Sequence, residues 1–249
     1  MFQHNCLQDH LSSVRWESYK VTASDTDTDS EIWLRYQENI VLCQNFYPYL
    51  HLFEISLRNH LQKILQPVDP HWYSYTVNSK GDYTYNGKLF TSIGLNKIKE
   101  VNQKLRLGKK GKNYVPTEGQ VVAGLTLGFW VDLLSNTYIQ YLWPFKNNNI
   151  QNLEQLFPNI PKNLINQKNA IGDIIYPKLK AIVFLRNRIF HYEPIWDDRH
   201  FNSFPKKSLL LQSVNASVLD YSVIYDVLIE VLGWLCEELL QDAHTFRKV

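Results

Sequence analysis

The sequence predicts an all-α protein of one domain, a helical bundle elaborated by a loop-rich middle segment. Three observations predict it. Apolar residues recur every three or four positions through most of the 249 residues, the spacing of one helix face. Cap and stop signals fall at the ends of those runs, as in Thr117-x-x-Gln120 and Pro67-Val68-Asp69-Pro70. A composition 45% apolar and 14% aromatic supplies a core and excludes a disordered chain.

In chain order, the polar tract Ser24 to Ser30 reads as a turn and cap donor. A helix then starts near Glu31, with Ile32, Tyr36, Ile40, Cys43 and Tyr47 along one stripe. Pro48 suits a first helical turn, and Leu50, Phe53, Leu57, Leu61 and Ile64 repeat behind it until Pro67. These two helices are expected to form an antiparallel pair with a tight connection. Residues 71–116 read as a basic, loop-rich insertion. It has a turn at Tyr83-Thr84-Tyr85-Asn86-Gly87 and a short helix carrying Leu95, Ile98, Val101 and Leu105. Thr117 caps a long helix through Gly124, Gly128 and Leu134; two glycines there cost roughly 1 kcal/mol each in propensity and predict close backbone packing. One weak helix is expected near Leu153. A helix from Asn169 to His191 follows, broken in its first part at Pro177, and Glu193-Pro194 ends it. A final amphipathic helix aligns Leu219, Val227, Leu228, Val231, Leu235 and Leu239.

Net charge is only +2, so bulk charge makes no case for nucleic acid. Its distribution does. From Asn96 to Lys112 stand Lys97, Lys99, Lys104, Arg106, Lys109, Lys110 and Lys112 against Glu100 alone. The run reads either as a solvated helix face and loop or as an RNA surface on Lys109, Lys110 and Lys112. Cys6, Cys43 and Cys236 are an odd set without metal spacing, as expected of a reducing compartment. No signal peptide or membrane span is apparent, and a cytoplasmic, soluble protein is expected. Gly-x-Ser-x-Gly, Gly-x-Gly-x-x-Gly and P-loop patterns are missing, which removes the hydrolases and nucleotide folds that use them.

The most informative feature is Arg186-Asn187-Arg188-Ile189-Phe190-His191, directly after the apolar run Ala181 to Leu185. On a helix Asn187 and His191 are i,i+4 neighbours, and Arg186 reaches the same side on its long stem. A guanidinium grips phosphate oxygens, and imidazoles move protons near neutral pH. The bland reading is a helix end whose charges complement the dipole.

The string Leu185 to Ile195 resembles the Arg-x4-His signature of HEPN-domain proteins, in their abortive-infection (Abi-like) branch. Two further landmarks of that branch stand in order: Phe53-Glu54-Ile55-Ser56-Leu57-Arg58-Asn59, and Val121 to Trp130 followed by Leu142-Trp143 and Phe157-Pro158. The resemblance covers roughly residues 15 to 240. It implies a HEPN-like bundle, a metal-independent endoribonuclease and a homodimer. It also implies a toxin of phage defence acting on RNA, tRNA included, with an antitoxin or other regulatory partner. Tyr192 follows His191 directly, one place short of the tyrosine modified in some HEPN toxins, so regulation there is not expected.

On this reading His191 transfers protons, Arg186 neutralises the phosphorane, Asn187 orients phosphate or imidazole, and Arg188 grips a neighbouring phosphate. Glu54, Arg58 and Asn59 are expected behind them as support; for Glu54 and Arg58 the alternative is a surface ion pair. One imidazole serves where acid and base are both wanted, so a twofold dimer would supply the second. His51, His60 and His71 make no zinc-like pattern, and neither metal nor cofactor is assigned. Phe129-Trp130 and Tyr138-x-x-Tyr141-x-Trp143 are either core or a base-stacking surface. A non-catalytic RNA-binding or dimeric interaction module is the competing class.

Overall fold

The computed structural model describes residues 11–20, 27–90, 92–109 and 114–238. Most of them are helical, and the strands form only two two-stranded ribbons. The helices are α1 (Ser13–Ser18), α2 (Asp29–Gln44), α3 (Tyr47–Val68), α4 (Ser92–Lys109), α5 (Glu118–Gly124) and α6 (Leu127–Asp132). They continue as α7 (Ile139–Leu142), α8 (Leu153–Leu156), α9 (Lys162–Ile165), α10 (Tyr176–Phe190), α11 (Lys207–Val214) and α12 (Tyr221–Leu235). No described helix is long and apolar enough to cross a membrane.

Three long helices make the frame. α3 packs on α12, and α10 packs on α12 from another side, while α6 touches both α3 and α10. Leu57, Leu61 and Leu65 of α3, Leu179, Ile182 and Leu185 of α10, and Leu228 and Leu232 of α12 are fully buried. Each helix thereby hides an apolar stripe at helical spacing, the main reason it is stable in water. One continuous cluster of buried residues runs from Cys43 to Leu235. The segment expected as an insertion belongs to it through Trp72, Tyr75, Phe90 and Ile98. A second small cluster, Trp16, Tyr19 and Ile32, fastens α1 to α2.

Several local expectations need correction. Asn45 (φ −65°, ψ −21°) and Phe46 (φ −88°, ψ −25°) both keep right-handed helical angles between α2 and α3. The chain therefore bends and does not reverse, and the antiparallel pair is not formed. α2 and α3 form one bent rod that runs past the end of α10: Asn39 meets Ile195, Tyr47 meets Phe190 and Glu54 meets Arg186. Along this rod the buried stripe is Ile32, Asn39 and Cys43, with Ile40 and Tyr47 exposed.

Tyr83–Tyr85 is a strand, not a turn; it pairs antiparallel with Tyr75–Val77, and the reversal lies at Asn78 to Asp82 with Gly81 at φ 90°. The Thr117–Gln120 capping box forms, but its helix ends at Gly124, since Leu125 is extended (φ −86°, ψ 140°) and Thr126 starts α6. A Cβ on Gly124 would sit 2.6 Å from Val101, so one of the two glycines does mark close packing; Gly128 has only ordinary contacts. The break ahead of the motif helix is a π-helical turn, Ile171–Ile175, and Pro177 sits in the first turn of α10, where a missing N–H costs nothing.

Candidate functional site

Four segments distant in sequence converge at the C-terminal end of α10. The helix ends because His191 leaves the helical region (φ −94°, ψ 6°) and Tyr192 turns left-handed (φ 55°). The His191 N–H still closes a helical turn on the Asn187 carbonyl at 2.9 Å, which keeps the two residues one turn apart.

Behind that turn stands a clamp. Asn39, buried on α2, accepts from the Ile195 N–H at 2.8 Å and donates to the Glu193 carbonyl at 3.2 Å. Its amide also meets the Tyr19 hydroxyl at 2.9 Å, and that hydroxyl donates to the Tyr192 carbonyl at 3.1 Å. Arg15 of α1 donates to the carbonyls of both His191 and Tyr192 and lies 5.9 Å over the Tyr192 ring. A guanidinium on the last carbonyls of a helix satisfies orphan acceptors and the negative end of the dipole together. Burial pushes the Tyr19 phenol far above its ordinary range, so it stays a hydrogen-bond donor.

Of the two motif arginines, Arg188 is turned inward. It is 6% exposed, donates to the Pro194 carbonyl at 2.9 Å and pairs with Glu193 at 3.0 Å. Its guanidinium lies 5.8 and 5.6 Å from the rings of Phe184 and Phe201, and burial lowers its pKa. The expected grip on a neighbouring phosphate is therefore corrected: Arg188 ties down the loop after the helix. Its position explains this, because Arg188 falls on the same buried side as Leu185 and Ile189.

Arg186 sits at a groove of about 370 Å³ formed by Tyr47, Pro48, Leu50, His51, Glu54, Arg186 and Phe190. Its guanidinium stacks 4.2 Å over the Phe190 ring, reaches the Asn187 side-chain carbonyl at 3.3 Å and lies 3.9 Å from Glu54. Glu54 is itself paired with Arg58 at 2.6 Å, so one carboxylate stands between two guanidiniums. A guanidinium has five N–H donors. Among the described residues the Arg186 guanidinium meets a single hydrogen-bond acceptor, the Asn187 side chain, and its buried Nε meets none. Asn187 and His191 are exposed. Asn59, expected behind the motif, is exposed elsewhere on α3 and meets none of these groups.

The loop expected to meet RNA lies outside the described residues: Lys110 and Lys112 entirely, and Lys109 apart from its backbone at the end of α4. The preceding basic residues are largely engaged. Lys97 pairs with Asp132 at 3.2 Å, and Lys99 lies 5.8 Å over the Tyr83 ring. Arg106 is buried, donating to the Tyr75 carbonyl at 3.0 Å. Phe129, Trp130, Tyr138 and Trp143 are core, and only Tyr141 of that aromatic set is exposed. His60 donates from Nδ1 to the Leu156 carbonyl at 2.8 Å. Among the described residues no three His, Cys, Asp or Glu side chains gather as a metal site would require.

Sequence reasoning missed Arg15, Tyr19 and Asn39. Asn39 carried a usable signal, a polar residue one turn before Cys43 within an apolar stripe, where an amide must find buried partners. Comparison with known protein families, curated proteins and solved structures finds no match.

Proposed function

We propose that the chain is an endoribonuclease that uses the substrate's own 2′-hydroxyl as nucleophile. The observation that carries this reading is an under-used guanidinium, Arg186, held beside the exposed amide of Asn187 on the turn that ends in an exposed imidazole, His191. RNA places its nucleophile next to the phosphate, so the protein must supply proton transfer and charge neutralisation. His191 transfers a proton, Arg186 meets the charge growing on the equatorial phosphate oxygens, and Asn187 orients phosphate or imidazole. Glu54, fixed by Arg58, holds Arg186 in place. The products are a 2′,3′-cyclic phosphate and a 5′-hydroxyl. In this proposal the protein is a HEPN-type homodimer and an abortive-infection effector against phage, kept in check by an antitoxin or regulatory partner.

The test is incubation of the protein and its His191→Ala variant with total RNA in EDTA, followed by end mapping. Cyclic-phosphate ends from the wild type and intact RNA with the variant are expected. Equal cleavage by both would sink the reading.

One observation favours a second reading. Four aromatic side chains are exposed among the described residues, and Tyr47 (38%), Phe190 (44%) and Tyr192 (60%) are three of them, all beside the motif. Exposed apolar surface at one place marks a binding surface, and a non-catalytic interaction seam would use it. A protein that binds RNA or its own copy, cuts nothing and loses that binding in Phe190→Ser would establish this alternative.

A further inference from the structure

Cleavage through the 2′-hydroxyl asks for a base and an acid, whereas the Arg-x4-His string carries a single imidazole. A second imidazole, His51, lines the groove that holds Arg186. His51 lies one turn after Tyr47 and one turn before Glu54, so the three share one face of α3. The outer two meet α10 at its last turn: the rings of Tyr47 and Phe190 are 5.4 Å apart, and Glu54 reaches Arg186. His51 falls between these contacts and lines the groove with Arg186 and Phe190, whose next residue is His191. It is exposed, and no hydrogen bond or ion pair engages its ring among the described residues. His60, two turns along the helix, is by contrast spent on a main-chain carbonyl.

We propose that His51 is the second proton-transfer residue of this site, working with His191 of the same chain on one scissile linkage. The inference rests on the ribonuclease reading above. One imidazole takes the proton of the 2′-hydroxyl as that oxygen bonds to phosphorus. The bond from phosphorus to the 5′ oxygen breaks, and the other imidazolium protonates the departing oxygen. Each histidine ends in the protonation state the other began with, and exchange with water resets both. No oxidant, reductant or further reactant enters. Arg186, which lines the same groove as His51, carries the phosphate.

The test uses the full chain and a short oligoribonucleotide containing one cut site mapped from total RNA. Rates are measured against pH for the wild type, His51→Ala, His51→Gln and His191→Ala. A bell-shaped wild-type profile is expected, with each variant slowed about 100- to 10,000-fold. His51 and His191 variants should lose opposite limbs of the bell. Affinity for the uncleavable strand, 2′-deoxy at the cut site, should stay within about threefold in His51→Ala, in keeping with a residue that acts on the reaction. A His51→Ala enzyme that keeps its rate and both limbs overturns the proposal, as does a loss confined to affinity. His51→Gln keeps a polar side chain of similar reach, so if the alanine variant misfolds the glutamine variant decides by the same criteria. An equal mixture of His51→Ala and His191→Ala should stay inactive; recovered activity would mean that the two imidazoles come from different chains, and would overturn the single-chain claim. A wild type that cleaves no RNA removes the ribonuclease reading and this inference together, while active wild type with indifferent His51 variants removes only the latter.

Discussion

The two ends of α10 carry similar charge and use it differently. At its N-terminal end every charged group is matched. Lys178, 4% exposed, pairs with Glu230 and lies 5.3 Å over the Trp234 ring. Lys180 shares Asp132 with Lys97, and the Tyr176 hydroxyl donates to that carboxylate at 3.4 Å, its pKa pushed up to about 12 mainly by burial. At the C-terminal end matching stops one residue short. Arg188 is tied to Pro194 and Glu193, whereas Arg186 lies at the groove with one hydrogen bond, to Asn187, and a longer pairing with Glu54 among the described residues, and His191 is exposed. A helix end built only for stability would close as the first one does. What the second end leaves open, while four other side chains pin its backbone, is the exposed surface on which the proposed RNA chemistry rests.

The sharpest way to break this contrast is to remove the unmatched groups. His191→Ala is expected to lower RNA cleavage about 100- to 10,000-fold, and Arg186→Ala by about 100- to 1,000-fold, with little change in urea midpoint. Lys180→Ala at the other end should leave cleavage unaltered and cost less than about 1 kcal/mol, because its partner is half exposed and shared. If Lys180→Ala abolishes activity while Arg186→Ala does not, the two ends have been read the wrong way round.

A second comparison lies within the functional end. Asn39→Ala removes no group that meets substrate, yet strands the Ile195 N–H and the Glu193 carbonyl. It should destabilise the fold by about 1–3 kcal/mol and lower cleavage without affecting RNA affinity. Arg188→Ala should cost a similar amount of stability, again about 1–3 kcal/mol. Its affinity for single-stranded RNA should fall against salt with the wild-type slope, whereas Arg186→Ala should flatten that slope by about 0.7. Equal slopes for both variants would count against a phosphate contact at Arg186.

The smallest effect concerns Cys43, next to Asn39 on the buried side of α2. Burial pushes its thiol up to about 11. The sign is that of a group kept neutral, so at pH 8 roughly 0.1% is thiolate. Iodoacetamide should label Cys43 slowly in the native protein and readily in urea; rapid native labelling would show the α2 side of the clamp to be open.

Much of the bundle was legible because its cause is local. Thr117 with Gln120, Pro67 near the end of α3, and the stripe from Leu50 to Ile64 each act within a turn or two of helix. What escaped depends on partners far away. Ile40 and Asn39 compete for one buried position, and periodicity favours Ile40; the main chain of residues 193 to 195, which only the folded state delivers, favours Asn39. The same holds for the arginines. Spacing makes Arg186 and Arg188 alike, and the aromatic rings of Phe184 and Phe201 separate them. The bend at Asn45-Phe46 was missed because Pro48 announces a new helix without saying whether the chain turns back.

Residues 15, 19, 39 and 54 reach the helix end they hold across about 130 to 180 positions of chain. Contacts of such long range form only after a large loop closes. A growing chain still short of residue 195 has its imidazole and guanidinium on an unpinned end, if it has them at all. Under the ribonuclease reading proposed above, that ordering withholds the assembled site from the nascent polypeptide until residue 195 has been added and the long loop has closed.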